Sequence, residues 1–184
     1  MSSKMNPTKA LLNPTSVAVV GASADPTKLN GRPITYLKRH GFKGQIFPIN
    51  PRHDEIDGLT CYADARDLPI APDLGLVLVG ANRVIESVQQ LAEVGTKAAI
   101  VLASGFGETG EDGKARQAAL RKAAGDMRIL GPNTIGLVNL TDGIILSASG
   151  AMEMPEFNSG NIALISQSGG ILGSLLSRAM ISAM

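Results

Sequence analysis

Tryptophan is missing from this 184-residue sequence, and aromatic residues of every kind make up only 3% of it. Bases have no aromatic platform to stack on, so single-stranded nucleic acid is a poor candidate ligand. A charge excess is missing too: 17 Lys and Arg stand against 16 Asp and Glu, for a formal net charge of +1. No overall field draws the chain to nucleic acid or to an anionic membrane, so any anion must be held by a local site. The single cysteine, Cys61, excludes an internal disulfide and a multi-cysteine zinc site, and no metal site is expected. Beside a predicted strand, Cys61 reads as a buried thiol rather than a nucleophile. No apolar run approaches the roughly 20 residues that cross a bilayer. The start, Met1 to Lys9, is polar and its first apolar stretch breaks at Pro14, unlike a secretory leader. A reducing, cytoplasmic setting is the expectation.

What is present is 44% hydrophobic and 18% charged, the balance of a globular chain. Short apolar, β-branched runs at residues 16–20, 45–49, 74–79, 98–102 and 127–130 read as buried strands. Helical patterns at 29–40, 83–94 and 113–124 fall between them, the first two stopped by Gly41 and Gly95. Alternation of this kind predicts an α/β fold, a doubly wound, Rossmann-like parallel sheet with helices on both faces. Residues 134–159, with Gly143, Gly150 and Pro155, read as an irregular connection. A strand at 161–166 follows. Then a helix sets Ile171, Leu172, Leu175, Leu176, Ala179 and Met180 on one face. One strand and one helix cannot bury their own apolar faces, so they read as the opening of a second α/β domain. The expected division is 10–140, a connection at 141–159, and 160–184.

In a doubly wound sheet, ligands sit outside the carboxyl ends of the strands. The first such loop is Gly21, Ala22, Ser23, Ala24, Asp25 and Pro26, small residues that let backbone amides approach a phosphate. The nicotinamide fingerprint G-x-G-x-x-G is absent, since Ser23 and Pro26 occupy its later glycine positions. The second loop is Asn50, Pro51, Arg52 and His53. There a cation replaces the acid that would bind a ribose hydroxyl, which suits a phosphorylated ribose. Val79, Gly80, Ala81 and Asn82 follow the third strand, and Ala103, Ser104 and Gly105 the fourth. After the fifth come Gly131, Pro132, Asn133 and Thr134. Four Gly-bearing loops and one basic loop at one sheet edge point to a nucleotide-like ligand.

Five runs in order, VAVVGAS (17–23), GFKGQIFPINP (41–51), AAIVLASGFGE (98–108), LGPNTIG (130–136) and ISQSG (165–169), closely resemble the NDP-forming acyl-CoA synthetases. These are relatives of the succinyl-CoA synthetase alpha subunit and of ADP-forming acetyl-CoA synthetase. The resemblance implies a CoA-binding Rossmann-like domain, a flavodoxin-like ligase domain, and an ATP-grasp module, fused or separate. It implies acyl-CoA made from a carboxylic acid, CoA and ATP with Mg2+, through an acyl phosphate and a phosphohistidine. By position, residues 21–26 would cradle the CoA phosphates and Arg52 or His53 would hold the nucleotide end. Residues 79–82 and 103–105 would line the cofactor, and Asn133 and Thr134 would lie where pantetheine approaches the reacting centre. Many relatives carry Cys at position 134. Ser166, Gln167, Ser168 and Gly169 open a helix suited to the family's phosphorylated histidine.

That histidine is not found: the chain has only His40 and His53, neither in the family's context, so no catalytic residue is assigned. His40 reads as a helix C-terminal residue, and Glu108 as either a site residue or a turn solubiliser. The chain is open to forming a homo-oligomer. Two alternatives remain at this stage: a CoA-sensing regulatory domain of an acyltransferase, and an NADP-binding oxidoreductase domain.

Overall fold

The computed structural model describes residues 6–154, 156, 157 and 159–181. Pro155, residues 182–184 and the side chains of Ala179 and Met180 lie outside the described residues. In chain order the first elements are α1 (Pro7–Leu12), β1 (Ser16–Val20), α2 (Arg32–Arg39) and β2 (Gln45–Ile49). A two-stranded hairpin follows, β3 (Glu55–Ile56) and β4 (Leu59–Thr60), then β5 (Leu74–Val77), α3 (Ala81–Glu93) and β6 (Ala98–Val101). The chain continues through α4 (Glu111–Ala124), β7 (Arg128–Leu130), β8 (Gly136–Asn139), β9 (Ile144–Ser147) and α5 (Gly169–Ile181).

All five residues of β1 are buried, as are all four of β5 and all four of β6. Strands buried on both faces must carry apolar side chains at odd and even positions alike, which explains the unbroken runs in the sequence. They pair in parallel in the order β2-β1-β5-β6-β7. Ala18, Val20, Val77, Ala99 and Val101 point to one face, where Val84, Val88 and Leu91 of α3 and Leu120 and Ala124 of α4 cover them. Val17, Val19, Leu74, Leu76, Ala98 and Ile100 point to the other, under Ala10, Ile34 and Leu37. The expected doubly wound α/β sheet is therefore present. Pro48, which lacks an N–H, sits in β2 at the sheet edge, where one side of the strand needs no donor. Asp73, just before β5, ties the starts of two strands together: it accepts from Thr15 N–H at 2.8 Å and Oγ1 at 2.7 Å.

Three segments differ from expectation. The helix expected from Leu29 begins at Arg32, because residues 25–31 are held in turns. Lys28 N–H donates to Asp25 O at 3.2 Å and Gly31 N–H to Lys28 O at 2.9 Å. Gly31 lies so close to the Asp25 carbonyl that a Cβ would collide with it. The stretch expected to be an irregular connection holds the antiparallel hairpin β8–β9, and every residue of β9 is buried. Ile144 and Leu146 complete the same face as α2, while Ile145 packs with Tyr36 and Met152. The strand expected at 161–166 has no strand pairing. Ile162 and Ile165 are 86% and 101% exposed, and a strand with no neighbour gains no ladder hydrogen bonds. The final helix is present as α5, with Ile171 and Leu175 of its expected apolar face exposed.

Candidate functional site

The sheet order turns around between β1 and β5: β2 lies on one side of β1 and the chain then crosses to the other. A crevice opens at such a reversal, outside the carboxyl ends of the two strands. Gly21 ends β1 there with φ 83°, a conformation that disfavours a side chain. Its N–H donates to Ile49 O at 2.8 Å, and a Cβ on it would lie 2.8 Å from Val79 Cγ1. Two asparagines hold the loop's carbonyls. Asn30 Nδ2 donates to Gly21 O at 2.6 Å, and Asn50 Nδ2 to Ala22 O at 2.7 Å. Ser23 N–H returns to Asn30 O at 3.1 Å. The amides of Ala22 and Ala24 have no partner among the described residues, although Ala22 is fully buried. Buried backbone donors are nearly always paired, so donors left open at a strand end mark a place where a ligand would complete them.

The Asp25 carboxylate is turned to bracing the loop. It accepts from Thr27 Oγ1 at 2.6 Å and Thr27 N–H at 3.0 Å, and these bonds hold its pKa below the ordinary value. Pro26, next to it, is exposed. After β2, the Asn50 side chain also accepts from Arg52 N–H at 3.1 Å, folding residues 50–53 into a turn around Pro51. Arg52 and His53 are exposed, and among the described residues neither side chain has a hydrogen-bond or ion-pair partner. Cys61 is buried beneath this turn with its Sγ 3.6 Å from Asn50 O, and burial pushes the thiol pKa up. The buried-thiol reading therefore stands.

After β5, the helix expected from Arg83 starts at Ala81, with Gly80 as its cap. Ala81 and Asn82 therefore lie in a first helical turn, whose amides an α-helix leaves unpaired at its positive end. Gly105 follows β6 with φ 96°, and a Cβ on it would lie 3.5 Å from Ala81 Cβ. The amides of Ala103 and Ser104 have no partner among the described residues. Asn133, at φ 57°, donates its N–H to Ala103 O at 2.8 Å. Thr134 Oγ1 accepts from Gly136 N–H at 3.2 Å. Ser168 begins α5: its Oγ accepts from Ile171 N–H at 3.4 Å, while Ser166 Oγ accepts from Ser168 N–H at 3.1 Å. Gln167 is exposed, and Gly169 packs on Ile135, so close that a Cβ would lie 2.6 Å from Ile135 Cγ2.

The loops thus touch in sequence across the sheet: Asn50 to Ala22, Gly21 to Val79, Ala81 to Gly105, Ala103 to Asn133, and Ile135 to Gly169. Asn30, Arg116 and Gln117 escaped the sequence reading. Each reaches its loop from an element several residues away, and no local motif marks it. Glu108 does more than solubilise a turn: its Oε1 accepts from Gly105 N–H at 2.6 Å. Among the described residues no three His, Cys, Asp or Glu side chains gather as a metal site, and no helix is long and apolar enough to cross a membrane.

Fold and loops together define a doubly wound α/β domain with open backbone amides at the carboxyl ends of its strands. Comparison with known proteins agrees: the family described as a CoA binding domain matches residues 15–139. The chain belongs to that family. It is similar to the Acetate--CoA ligase [ADP-forming] II of Archaeoglobus fulgidus, 38% identical over 169 residues, covering 90% of this chain and 24% of that protein. With the Acetate--CoA ligase [ADP-forming] II subunit alpha of Pyrococcus furiosus it shares 35% identity over 161 residues, 86% of this chain and 34% of the relative. A solved structure, the dinucleotide forming Acetyl-coenzyme A synthetase 1 of Ca. Korarchaeum cryptofilum in complex with phosphate and ADP, superposes with TM-score 0.88 at 35% identity. It covers 96% of this chain and 37% of that one. The chain therefore spans between a quarter and two fifths of the length of these relatives.

Proposed function

We propose that the crevice binds coenzyme A and that the chain is the CoA-binding part of an ADP-forming acyl-CoA synthetase. The observation that carries this reading is the row of amides without a partner among the described residues at one sheet edge, Ala22, Ala24, Ala103 and Ser104, beside the first turn of α3. Donors placed this way suit a diphosphate, with the Ser23 hydroxyl available to add another. The exposed Arg52 and His53, whose side chains have no partner among the described residues, suit the 3′-phosphate at the nucleotide end. Asn133 and Thr134, at the far side of the row, take the pantetheine end, and the Thr134 hydroxyl stands where many relatives have a thiol. Residues 166–169 open a helix for a phosphate carried on the complete enzyme's histidine, and residues from 160 onward begin a flavodoxin-like ligase domain. ATP, Mg2+ and the ATP-grasp module, fused or as a separate subunit, belong to that complete enzyme. We place the protein in the cytoplasm.

Side-by-side calorimetric titration with CoA, dephospho-CoA, NADP and NAD tests the assignment. CoA should bind tightest, and dephospho-CoA weaker by about tenfold or more, since a charge-assisted hydrogen bond contributes about 1.5–3 kcal/mol. Equal or tighter binding of NADP would overturn the CoA reading in favour of an oxidoreductase domain. Addition of an ATP-grasp subunit with no acyl-CoA formed, CoA binding being intact, would favour a regulatory CoA sensor.

A further inference from the structure

Two charged side chains outside the row of open amides converge on a single residue beside it, Gly105. Gly105 N–H donates to Glu108 Oε1 at 2.6 Å, and Gly105 O accepts from Arg116 Nη1 of α4. Gln117, the next residue of α4, accepts from Gly107 N–H at 2.9 Å. Fully buried Phe106 lies between these attachments, and Gly113 lets α4 pass so close to Phe106 O that no Cβ would fit. The Arg116 charge also favours the ionised form of Glu108, whose carboxyl is held below its usual range first by hydrogen bonds from backbone amides. A positive-φ glycine is the most mobile of residues when released, so gripping both of its polar groups removes motion that the backbone alone would allow. The residues immediately before it are Ala103 and Ser104, whose amides have no partner among the described residues.

We propose that Arg116 and Glu108 are positioning residues: by gripping the N–H and the carbonyl of Gly105, in the two peptides that flank its Cα, they hold the Ala103 and Ser104 amides in place for the anionic cofactor. The proposal rests on the CoA reading. Neither side chain touches the ligand. Their effect runs through the loop, so that binding does not have to order a mobile segment.

Arg116→Met keeps the aliphatic stem and removes the guanidinium; Glu108→Ala, on an exposed side chain, removes the acceptor with little risk to folding. Each 184-residue variant is compared with the wild type by CoA titration, thermal unfolding and amide resonances of the ligand-free protein. Both variants should lose about tenfold in CoA affinity with the unfolding temperature nearly unchanged. The resonances of Ala103 and Ser104 should shift or broaden while those of Ala22 and Ala24 stay in place. Glu108→Gln, which keeps an acceptor oxygen, should recover most of the affinity. Wild-type affinity in both variants, or no recovery by glutamine, would overturn the positioning role alone. A wild-type chain that does not bind CoA would overturn the cofactor assignment and this role with it, so the two failures are distinguishable.

Discussion

Replacing Gly21 by valine is the obvious way to block the first loop, yet the backbone makes it a test of folding as well as of binding. Its φ of 83° strains any β-branched residue, and a Cβ would press on Val79 Cγ1 at 2.8 Å. Gly21→Val should therefore lower the unfolding temperature as well as CoA affinity, and differential scanning calorimetry beside titration separates the two. Arg52 is the cleaner probe, because its exposed side chain has no partner to lose among the described residues. Arg52→Ala should cut CoA affinity by about tenfold or more, leave dephospho-CoA binding unchanged, and leave stability within about 0.5 kcal/mol of wild type. An equal loss for both ligands, read by calorimetry, would remove Arg52 from the 3′-phosphate. His40, the C-cap of α2, gives a pH signature of its own. Its Nε2 is buried without a partner among the described residues, and its ring centroid lies 4.9 Å from that of Phe157 with the planes tilted by 52°. Burial depresses its pKa below 6.5, outweighing the Met152 backbone hydrogen bond that raises it. Between the depressed folded value and 6.5 the unfolded chain takes up a proton that the folded chain refuses. Stability is thus fully present above 6.5 and is lost as pH falls through that window. Urea unfolding at about pH 7 and about pH 5.5 should show this loss, and His40→Gln should flatten it.

Element by element, the parts legible in sequence were those whose burial is symmetric. β1 falls on the expected residues because a strand buried on both faces leaves an unbroken apolar run, while the edge strand β2, which opens on exposed Gln45, is marked by its buried end from Phe47 to Ile49. Helix starts were less legible. That of α2 depends on Gly31 meeting the Asp25 carbonyl, and that of α3 on Gly80 capping two residues earlier than the apolar spacing suggested. The hairpin β8–β9 lies in a stretch punctuated by Gly136 and Gly143, and only contact with α2 reveals that β9 is core. The site divides the same way. The strand-end loops could be picked out by small residues and glycine, whereas Asn30, Arg116 and Gln117 act across distances that no spacing rule covers. The hairpin carries a prediction. Leu146→Ala should destabilise by about 2–5 kcal/mol, as a truncation in the main core does. Denaturant unfolding checks it, and a change below about 0.5 kcal/mol would make the hairpin a surface appendage.

For the molecule as a whole, the site and the chemistry proposed for the complete enzyme are separable. Making an acyl-CoA from a carboxylic acid and ATP requires a nucleotide site, a histidine that carries phosphate, and a CoA thiol brought to the acyl group. Among the described residues the open amides of Ala22, Ala24, Ala103 and Ser104 offer a place only for the last of these, the one proposed above. Neither histidine is arranged to carry phosphate. The His40 ring is packed against Phe157, and His53 lies in an exposed turn with no base or acid hydrogen-bonded to it among the described residues. With a net charge of +1, the chain has no general field to gather ATP either. The 184-residue chain should therefore bind CoA while forming neither phosphohistidine nor acyl-CoA. After incubation with γ-labelled ATP, acetate and CoA, it should retain no acid-labile, base-stable label and release no thioester. Stoichiometric label on His53 would overturn this and make the domain a phosphoryl carrier. Thioester formed only once the remaining regions are supplied, and lost again in Arg52→Ala when CoA is kept below its dissociation constant, would tie the crevice to the reaction of the complete enzyme.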